Sequence, residues 1–307
     1  MSNEQRENVR GRINILALET TGPYASVALG CGGHDGSCAV KELSSDGKLT
    51  HLTSLVPLID DILTGEGMKI SDVNALAVSS GPGSFTGIRI GVSTARALAQ
   101  ALGIGIIKVP TLETFVYQTD EWQVVCPVFD ARRSQIYAGA YLRKTEGEFV
   151  TLVGGDAWRP EDFLESLGGA LAALGAGSGE ETGPGASAKG GAGLGGVSPE
   201  IAFCGDGVRL YKDAISGWAE ACGAKFTLSE NPDKVQRASS VLKWAMFHGS
   251  SARFWEVEPI YMRKAEAQRK LDEKADLQRE FGENTGVRPM AAAGEAAHRD
   301  GEGRGGL

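Results

Sequence analysis

A glycine-rich turn followed by a helix, from Ser79 to Leu102, is the stretch whose residue types and spacing first suggest chemistry. The run Gly81 to Gly87 follows an apolar segment, Ala75 to Val78, which has the composition of a buried strand. A strand, a tight glycine turn and a helix can together cradle a phosphate. A Walker A loop needs a lysine after its second glycine, and here Ile88 and Arg89 follow. The spacing therefore argues against a Walker-type nucleotide site.

Other catalytic patterns are also missing from the sequence. No two histidines are spaced i, i+4, which excludes a helix-borne two-histidine metal site, and there is no Gly-x-Ser-x-Gly nucleophile elbow. Ser84 and Thr86 are interpreted as helix N-terminal hydroxyls that satisfy free amide groups, and His51 as a surface or capping residue. The sequence therefore contains none of these catalytic or metal-binding patterns.

The helix after the turn carries tiny side chains at every fourth position, namely Gly87, Gly91, Ala95 and Ala99. A glycine inside a helix costs about 1 kcal/mol relative to alanine, so such a stripe indicates a packing requirement. A ridge without side chains lets a second helix backbone approach closely. An amphipathic helix predicted from Leu52 to Leu63 is the neighbouring helix in the chain.

The elements around these helices form a pattern that occurs twice. The first half predicts strands at 13–18, 26–30, 37–43, 75–78 and 105–109, with a further helix after Pro110. The second half predicts strands at 124–129, 135–142, 148–153, 201–204 and 225–228, with helices at 160–167, 208–221 and 235–248. Two copies of βββαβαβα predict an α/β protein with two duplicated lobes, as in the fold shared by actin, sugar kinases and Hsp70.

Acidic residues end the first strand of each copy, and a nucleotide-binding site is one of two interpretations of them. Glu19, followed by Thr20, ends one strand, and Asp130, with Arg132 two residues later, ends the other. In the actin-like fold such residues handle metal and phosphates, and a glycine turn in the second half, here Gly205, packs against adenosine. The alternative is that all five are turn residues required by the fold.

Composition sets the outer limits on the class of protein. The chain has 307 residues, 42% of them hydrophobic, and a net charge of -8, which argues against independent binding to a phosphate backbone. No apolar run reaches the roughly 18 residues of a membrane span, so we expect a cytoplasmic protein. The five cysteines include no Cys-x-x-Cys pair and suit reduced, mostly buried thiols.

These patterns predict the following domain organisation. A polar tail at 1–12 precedes a first lobe at 13–119 and a second lobe at 120–263, which contains a Gly/Ala-rich insertion at 168–197 that we interpret as flexible. The charged segment 264–307 is interpreted as a largely disordered tail.

Four runs of the sequence together resemble one known family. They are ILALETT with SVAL (15–21 and 26–29), SGPGSFTGIRIG (80–91), DARR with IY (130–133 and 136–137), and EPIYMR (258–263). The chain resembles the bacterial TsaB (YeaZ) proteins from about Ile13 to Leu271. This resemblance implies the actin-like ATPase (ASKHA, Gcp/TsaD-like) fold.

The resemblance also implies a function and partners. It implies a non-catalytic dimerisation and activating subunit of the complex that forms N6-threonylcarbamoyladenosine at position 37 of ANN-decoding tRNAs. The expected partners are the catalytic subunit TsaD, the ATPase TsaE and a second copy of the chain, with tRNA reached only through the complex and no membrane. No cofactor is expected in this chain, and ATP or ADP only in the complex. The first-half helices would form the interface, through Leu52, Leu55, Val56, Ile59, Gly87, Gly91, Ala95 and Leu98.

Three rival functions remain at this point. The first is an autonomous ATP-binding phosphotransferase of the same fold, which would need Mg-ATP to bind the isolated chain. The second is a peptidase, which the missing metal histidines disfavour. The third is a homodimeric scaffold, because a self-complementary helix pair can serve like or unlike partners.

Overall fold

The computed structural model describes residues 13–32, 38–46, 51–118, 122–145, 147–176, 200–229 and 236–262. The predicted tails at 1–12 and 264–307, and residues 177–197 of the predicted insertion, lie outside these ranges. No helix among the described residues is long and apolar enough to cross a membrane.

Six of the described strands form a first sheet. They are β1 (Ile13–Glu19), β2 (Ser26–Gly32), β3 (Cys38–Ser44), β4 (Ala75–Ser79), β5 (Gly105–Val109) and β11 (Ser251–Ala252). Their order in the sheet is β11-β5-β4-β1-β2-β3. Strand β1 lies between antiparallel β2 and parallel β4, and its Leu16, Ala17 and Leu18 are fully buried. Burial on both faces explains why this part of the strand is continuously apolar rather than alternating.

Five described strands form a second sheet. They are β6 (Val124–Asp130), β7 (Ile136–Thr145), β8 (Glu148–Trp158), β9 (Ile201–Cys204) and β10 (Phe226–Ser229). Their order is β10-β9-β6-β7-β8, and the central strand β6 again lies between an antiparallel neighbour, β7, and a parallel one, β9. The two similar sheets agree with the actin-like fold that the duplicated pattern predicts.

Five described α-helices and two short 3-10 helices complete the elements. They are α1 (His51–Gly65), α2 (Phe85–Leu102), α3 (Pro160–Ala176), α4 (Lys212–Cys222) and α5 (Ala238–His248), with 3-10 helices at Ile70–Asp72 and Leu112–Tyr117. Helix α2 begins after Ser84, whose hydroxyl accepts from Gly87 N at 3.2 Å, and ends at Gly103 in the left-handed conformation, φ 68°.

Three predicted helices differ most clearly from the structure. Helix α3 continues to Ala176, so the first part of the predicted flexible insertion is helical, because Leu171 and Leu174 still pack against the second core. The helix predicted after Pro110 is a single 3-10 segment. Helix α4 begins four residues later than predicted, after turns that pack Gly207 against Val128.

Helix α5 packs against the first sheet, although its place in the repeat assigns it to the second lobe. Its buried residues Val241, Leu242 and Ala245 share a core with Ala17 and Ile107 of the first sheet. Conversely, the 3-10 helix Leu112–Tyr117 shares a core with strands β6 and β7. Each sheet is therefore covered by the closing element of the other half.

Aromatic side chains join the two halves where these elements meet. Tyr117 stacks on Phe247 with ring centroids 5.9 Å apart, and its hydroxyl lies 2.5 Å from His248 Nε2. The same hydroxyl donates to Gly147 O in the turn before β8, at 3.1 Å. Burial raises the pKa of Tyr117 to about 12, so the phenol stays protonated at neutral pH and keeps this donor.

Candidate functional site

The start of helix α2 is packed directly against the loop that follows β1. A Cβ atom at Gly87 would lie 1.9 Å from Thr20 O, and one at Gly91 would lie 2.3 Å from Thr20 Oγ1. Thr20 Oγ1 donates to Gly87 O at 2.7 Å, and Ser84 N donates to Thr21 O at 2.8 Å. Gly87 is therefore required because the Thr20 carbonyl occupies the space of a side chain, and Gly91 because the Thr20 hydroxyl occupies it.

This packing corrects the expectation that the small-residue stripe faces a partner. Gly87, Gly91 and Ala95 are buried within the chain, and Ala95 has no exposed surface. An arginine at Gly91 would disrupt the packing of α2 on its own sheet before it reached a partner. The close approach inferred from the stripe is present, but it is made with the chain's own loop.

The other predicted interface residues divide into buried and exposed groups. Leu55 and Ile59 are buried in the first core, and Leu98 packs partly against it. Leu52 and Val56, one turn apart on α1, are 77% and 61% exposed. An amphipathic helix ordinarily exposes polar residues on its outer face, so this exposed apolar pair is the part of the predicted surface available to a partner.

A cluster of Phe85, Arg89 and Tyr261 lies at the exposed start of α2, and sequence reasoning missed it. The Arg89 guanidinium carbon lies 4.0 Å from the centre of the Phe85 ring, and Arg89 Nε donates to Tyr261 Oη at 3.0 Å. The Phe85 and Tyr261 ring centres are 4.9 Å apart, and the rings are 40% and 41% exposed. The i, i+4 spacing of Phe85 and Arg89 was the available signal.

The segment 258–262, part of the EPIYMR run, is held beside Phe85 and Arg89 by main-chain contacts. Ile260 N donates to Ser80 O at 2.7 Å, and a Cβ atom at Gly81 would lie 2.5 Å from Ile260 O. Helix α1 begins beside the loop that follows β1. The Nε2 atom of its first residue, His51, lies 2.9 Å from Gly22 O. Helix α1 and the turn before α2 thus both lie against the loop Thr20–Gly22, and Ile260 lies against that turn. We call the exposed residues of the two helices, including Leu52, Val56, Phe85 and Arg89, the α1–α2 surface.

Glu19, a candidate for nucleotide binding, is fully buried and bonded within its own chain. Its carboxylate accepts from Thr21 N at 2.5 Å, from Thr21 Oγ1 at 2.6 Å and from Ser79 Oγ. Burial raises the pKa of Glu19 despite these hydrogen bonds. The contacts join the ends of β1 and β4, which favours the interpretation of Glu19 and Thr20 as residues required by the fold.

A glutamine at position 19 tests this interpretation through the pH dependence of stability. Because the folded pKa of Glu19 lies above its unfolded value, its contribution to stability is complete below the unfolded pKa and is lost as pH rises through the folded pKa. Glu19→Gln mimics the protonated acid and cannot ionise. We therefore expect wild type to lose more stability than Glu19→Gln between pH 5 and pH 8, as measured by urea unfolding. Equal losses would contradict a raised pKa.

The remaining cleft candidates come together at the end of β6, in the second sheet. Asp130 Oδ1 accepts from Arg132 N at 2.8 Å, and Asp130 Oδ2 lies 3.4 Å from Arg132 Nη1. Asp130 N donates to Asp206 Oδ1 at 3.2 Å, and burial raises the pKa of Asp206. Gly205, with φ 103°, brings this turn against Val128 O. Asp206 is thus a fourth member of the group, beside the predicted Gly205.

In the part of the chain that the structure describes, no group of three or more histidine, cysteine or acidic side chains could hold a metal ion. Cys126 and Cys204 are buried thiols, as expected, whereas Cys222 is an exposed thiol.

Comparison with known proteins places the chain in a family. The family model TsaD, described as tRNA N6-adenosine threonylcarbamoyltransferase, matches residues 46–247. The tRNA threonylcarbamoyladenosine biosynthesis protein TsaB of Bacillus subtilis is 34% identical over 50% of this chain and 66% of its own length. The Escherichia coli protein of that name is 37% identical over 44% and 58%. The Haemophilus influenzae protein is 32% identical over 50% and 68%. The matches thus span about two thirds or less of these relatives.

Two solved structures from Pseudomonas aeruginosa show the same fold. One, a protein with similarity to peptidase YeaZ, is 24% identical with a TM-score of 0.58, over 82% of this chain and all of the other. The second, YeaZ, is 22% identical with a TM-score of 0.54, over 81% and 99%. The two-sheet architecture, the family model and the curated relatives agree that this chain is a member of the TsaB (YeaZ) family with an actin-like fold.

Proposed function

We propose that the chain is a non-catalytic dimerisation and activating subunit in the formation of N6-threonylcarbamoyladenosine at position 37 of ANN-decoding tRNAs. It binds the catalytic subunit TsaD in the cytoplasm, is joined by the ATPase TsaE, and meets tRNA only through the complex. The exposed apolar pair Leu52 and Val56 is the observation that carries the proposal. The relatives, which are named as tRNA threonylcarbamoyladenosine biosynthesis proteins, supply the process.

The similarity between the chain and its proposed partner supports helix-to-helix docking. The TsaD family model matches residues 46–247, a range that includes α1 and α2. Exposed charges on α1 are acidic, at Asp60 and Asp61, whereas α2 carries Arg89 and Arg96 and no acidic residue. A surface with opposite charges on two adjacent helices can pair with a related surface about a two-fold or near two-fold axis.

Gel filtration with and without purified TsaD tests the proposal. We expect the two chains to elute together as a complex larger than either alone. If the isolated chain forms a homodimer that dissociates when TsaD is added, the homodimer and the complex compete for the same surface, which agrees with the proposal. Separate elution of both chains at micromolar concentration would contradict the proposal, whereas a homodimer that persists and excludes TsaD would favour the homodimeric scaffold.

An autonomous ATP-binding phosphotransferase is the alternative function. The acidic residues Asp130 and Asp206, joined by a hydrogen bond from Asp130 N to Asp206 Oδ1 at one end of the second sheet, are the observation in its favour. Calorimetry of the isolated chain with Mg-ATP separates the two functions. Our proposal predicts no measurable heat of binding without partner subunits, and tight binding by the chain alone would favour the alternative.

A further inference from the structure

We propose that Arg89 is the anchor for a carboxylate on the protein partner that covers the α1–α2 surface, with Phe85 and Tyr261 holding its guanidinium in place. The inference rests on the proposed function and deepens it, because it names the chemical group that the partner must present. An aspartate or glutamate side chain on the docking surface of TsaD is that group.

The guanidinium is held in one orientation. It lies over the Phe85 ring at 4.0 Å, its Nε donates to Tyr261 Oη at 3.0 Å, and its carbon is 5.9 Å from the centre of the Tyr261 ring. Contact with two aromatic rings removes part of its hydration and much of its rotamer freedom before any partner arrives. Binding to Arg89 then costs less conformational entropy than binding to a solvated arginine.

Most donors of Arg89 remain unused within the described chain. A guanidinium carries five N–H donors, and the hydrogen bond to Tyr261 uses the one on Nε. The ion pair of Lys41 with Glu66 and that of Arg132 with Asp130 do not involve Arg89. Helix α2 itself has no acidic residue. The terminal nitrogens thus form a planar fork that matches the two oxygens of a carboxylate.

The location of the cluster connects it to the apolar part of the proposed interface. Phe85 lies in the first turn of α2 and Leu52 in the first turn of α1, and both helices begin against the loop Thr20–Gly22. Aromatic residues and arginine are the side chains most enriched where protein interfaces gain their binding energy. An arginine anchor beside exposed leucine and valine therefore suits a protein partner.

Charge argues against nucleic acid as the occupant. Arg96 is the other cation on α2, and the whole chain carries a net charge of -8. Binding to a nucleic acid backbone relies on many lysines and arginines on one face. One oriented guanidinium in an acidic protein fits a single carboxylate better than a row of phosphates.

Binding of TsaD to matched variants tests the anchor. We expect Arg89→Gln to weaken binding about 30-fold, because a charge-assisted, partly desolvated pair is lost. Raising the salt from 50 to 500 mM should weaken wild type more than Arg89→Gln, because screening acts on the charge that the variant lacks. Tyr261→Phe, which keeps the ring and removes the acceptor of Nε, should have an intermediate effect. The control Arg209→Gln changes an exposed arginine of the second half and should bind like wild type.

The outcomes separate this inference from the proposed function. If wild type binds TsaD, Leu52→Asp does not, and Arg89→Gln binds like wild type, the anchor is refuted and the proposed function stands. If wild type does not bind, both are refuted. If Arg89→Gln binds TsaD normally but lowers cross-linking of tRNA to the assembled complex, the occupant is a phosphate and the carboxylate proposal is wrong. Rescue of Arg89→Glu by an acid-to-arginine change in TsaD would establish the pair.

Discussion

Replacing Leu52 by aspartate is expected to weaken binding to TsaD about 30-fold or more and to leave folding almost unchanged. The side chain is 77% exposed, so it contributes little to the core, and its substitution should change the free energy of unfolding by no more than about 0.5 kcal/mol. An aspartate in the first turn of α1 even interacts favourably with the helix dipole. Binding to TsaD is expected to weaken because the aspartate charge would have to be buried in an apolar interface.

The control for this variant is Leu210→Asp in the second half of the chain. Leu210 is 63% exposed and lies outside the two helices, so the same change of chemistry is made away from the proposed interface. We expect this control to bind TsaD like wild type, as measured by calorimetry. Equal binding by both variants would show that α1 is not at the interface.

Gly87→Ala is expected to destabilise the fold by about 2 kcal/mol. Its Cβ would lie 1.9 Å from Thr20 O, which is a backbone atom, so the helix or the loop must move. Overpacking of this kind costs up to about 3 kcal/mol, and the better helix propensity of alanine returns about 1 kcal/mol. Urea unfolding of the purified variant measures the difference.

Gly217→Ala is the matched control for that prediction. Gly217 also lies inside a helix, α4, but its Cβ would meet no atom within 4 Å. We expect this variant to gain between about 0.5 and 1 kcal/mol from propensity alone. If Gly87→Ala were as stable as Gly217→Ala, the close packing of α2 against Thr20 would be wrong.

The sheets were predictable from the sequence because strand periodicity and turn residues are local signals. The strands at Gly105–Val109 and Ile201–Cys204 have the predicted bounds, and most other strands are longer by one or a few residues. The strand ends differ from the predicted bounds because pairing with a neighbouring strand extends a strand past its apolar run. Strand β8, for example, pairs with β7 as far as Trp158.

The partner of a helix face was not predictable, because periodicity identifies a buried face without naming what covers it. From the sequence alone, the stripe through Gly87 and Gly91 could pack against a helix of a partner or against a loop of the same chain. In the structure, the loop at Thr20 packs against it. The place of helix α5 in the repeat predicts a position in the second lobe, whereas its apolar face packs on the first sheet.

The candidate site was predictable only where its residues follow local sequence patterns. The residues Asp130, Arg132 and Gly205 were each recognised by their place at strand ends and turns, and they do meet in the structure. Tyr261 joins Arg89 across 172 positions of sequence, a contact that no local pattern encodes. Their contact depends on the main-chain bond from Ile260 to Ser80, which is a property of the fold.

The most direct test of the central claim is product formation in a reconstituted reaction with TsaD, TsaE, the threonylcarbamoyl donor and an ANN-decoding tRNA. We predict N6-threonylcarbamoyladenosine when the chain is added, none from the chain alone, and little with Leu52→Asp. A variant with both Asp130→Asn and Asp206→Asn should remain active, because these residues carry no chemistry in the proposed function. Product from the chain without TsaD, or loss of activity in the double variant while the complex with TsaD still forms, would contradict a non-catalytic subunit.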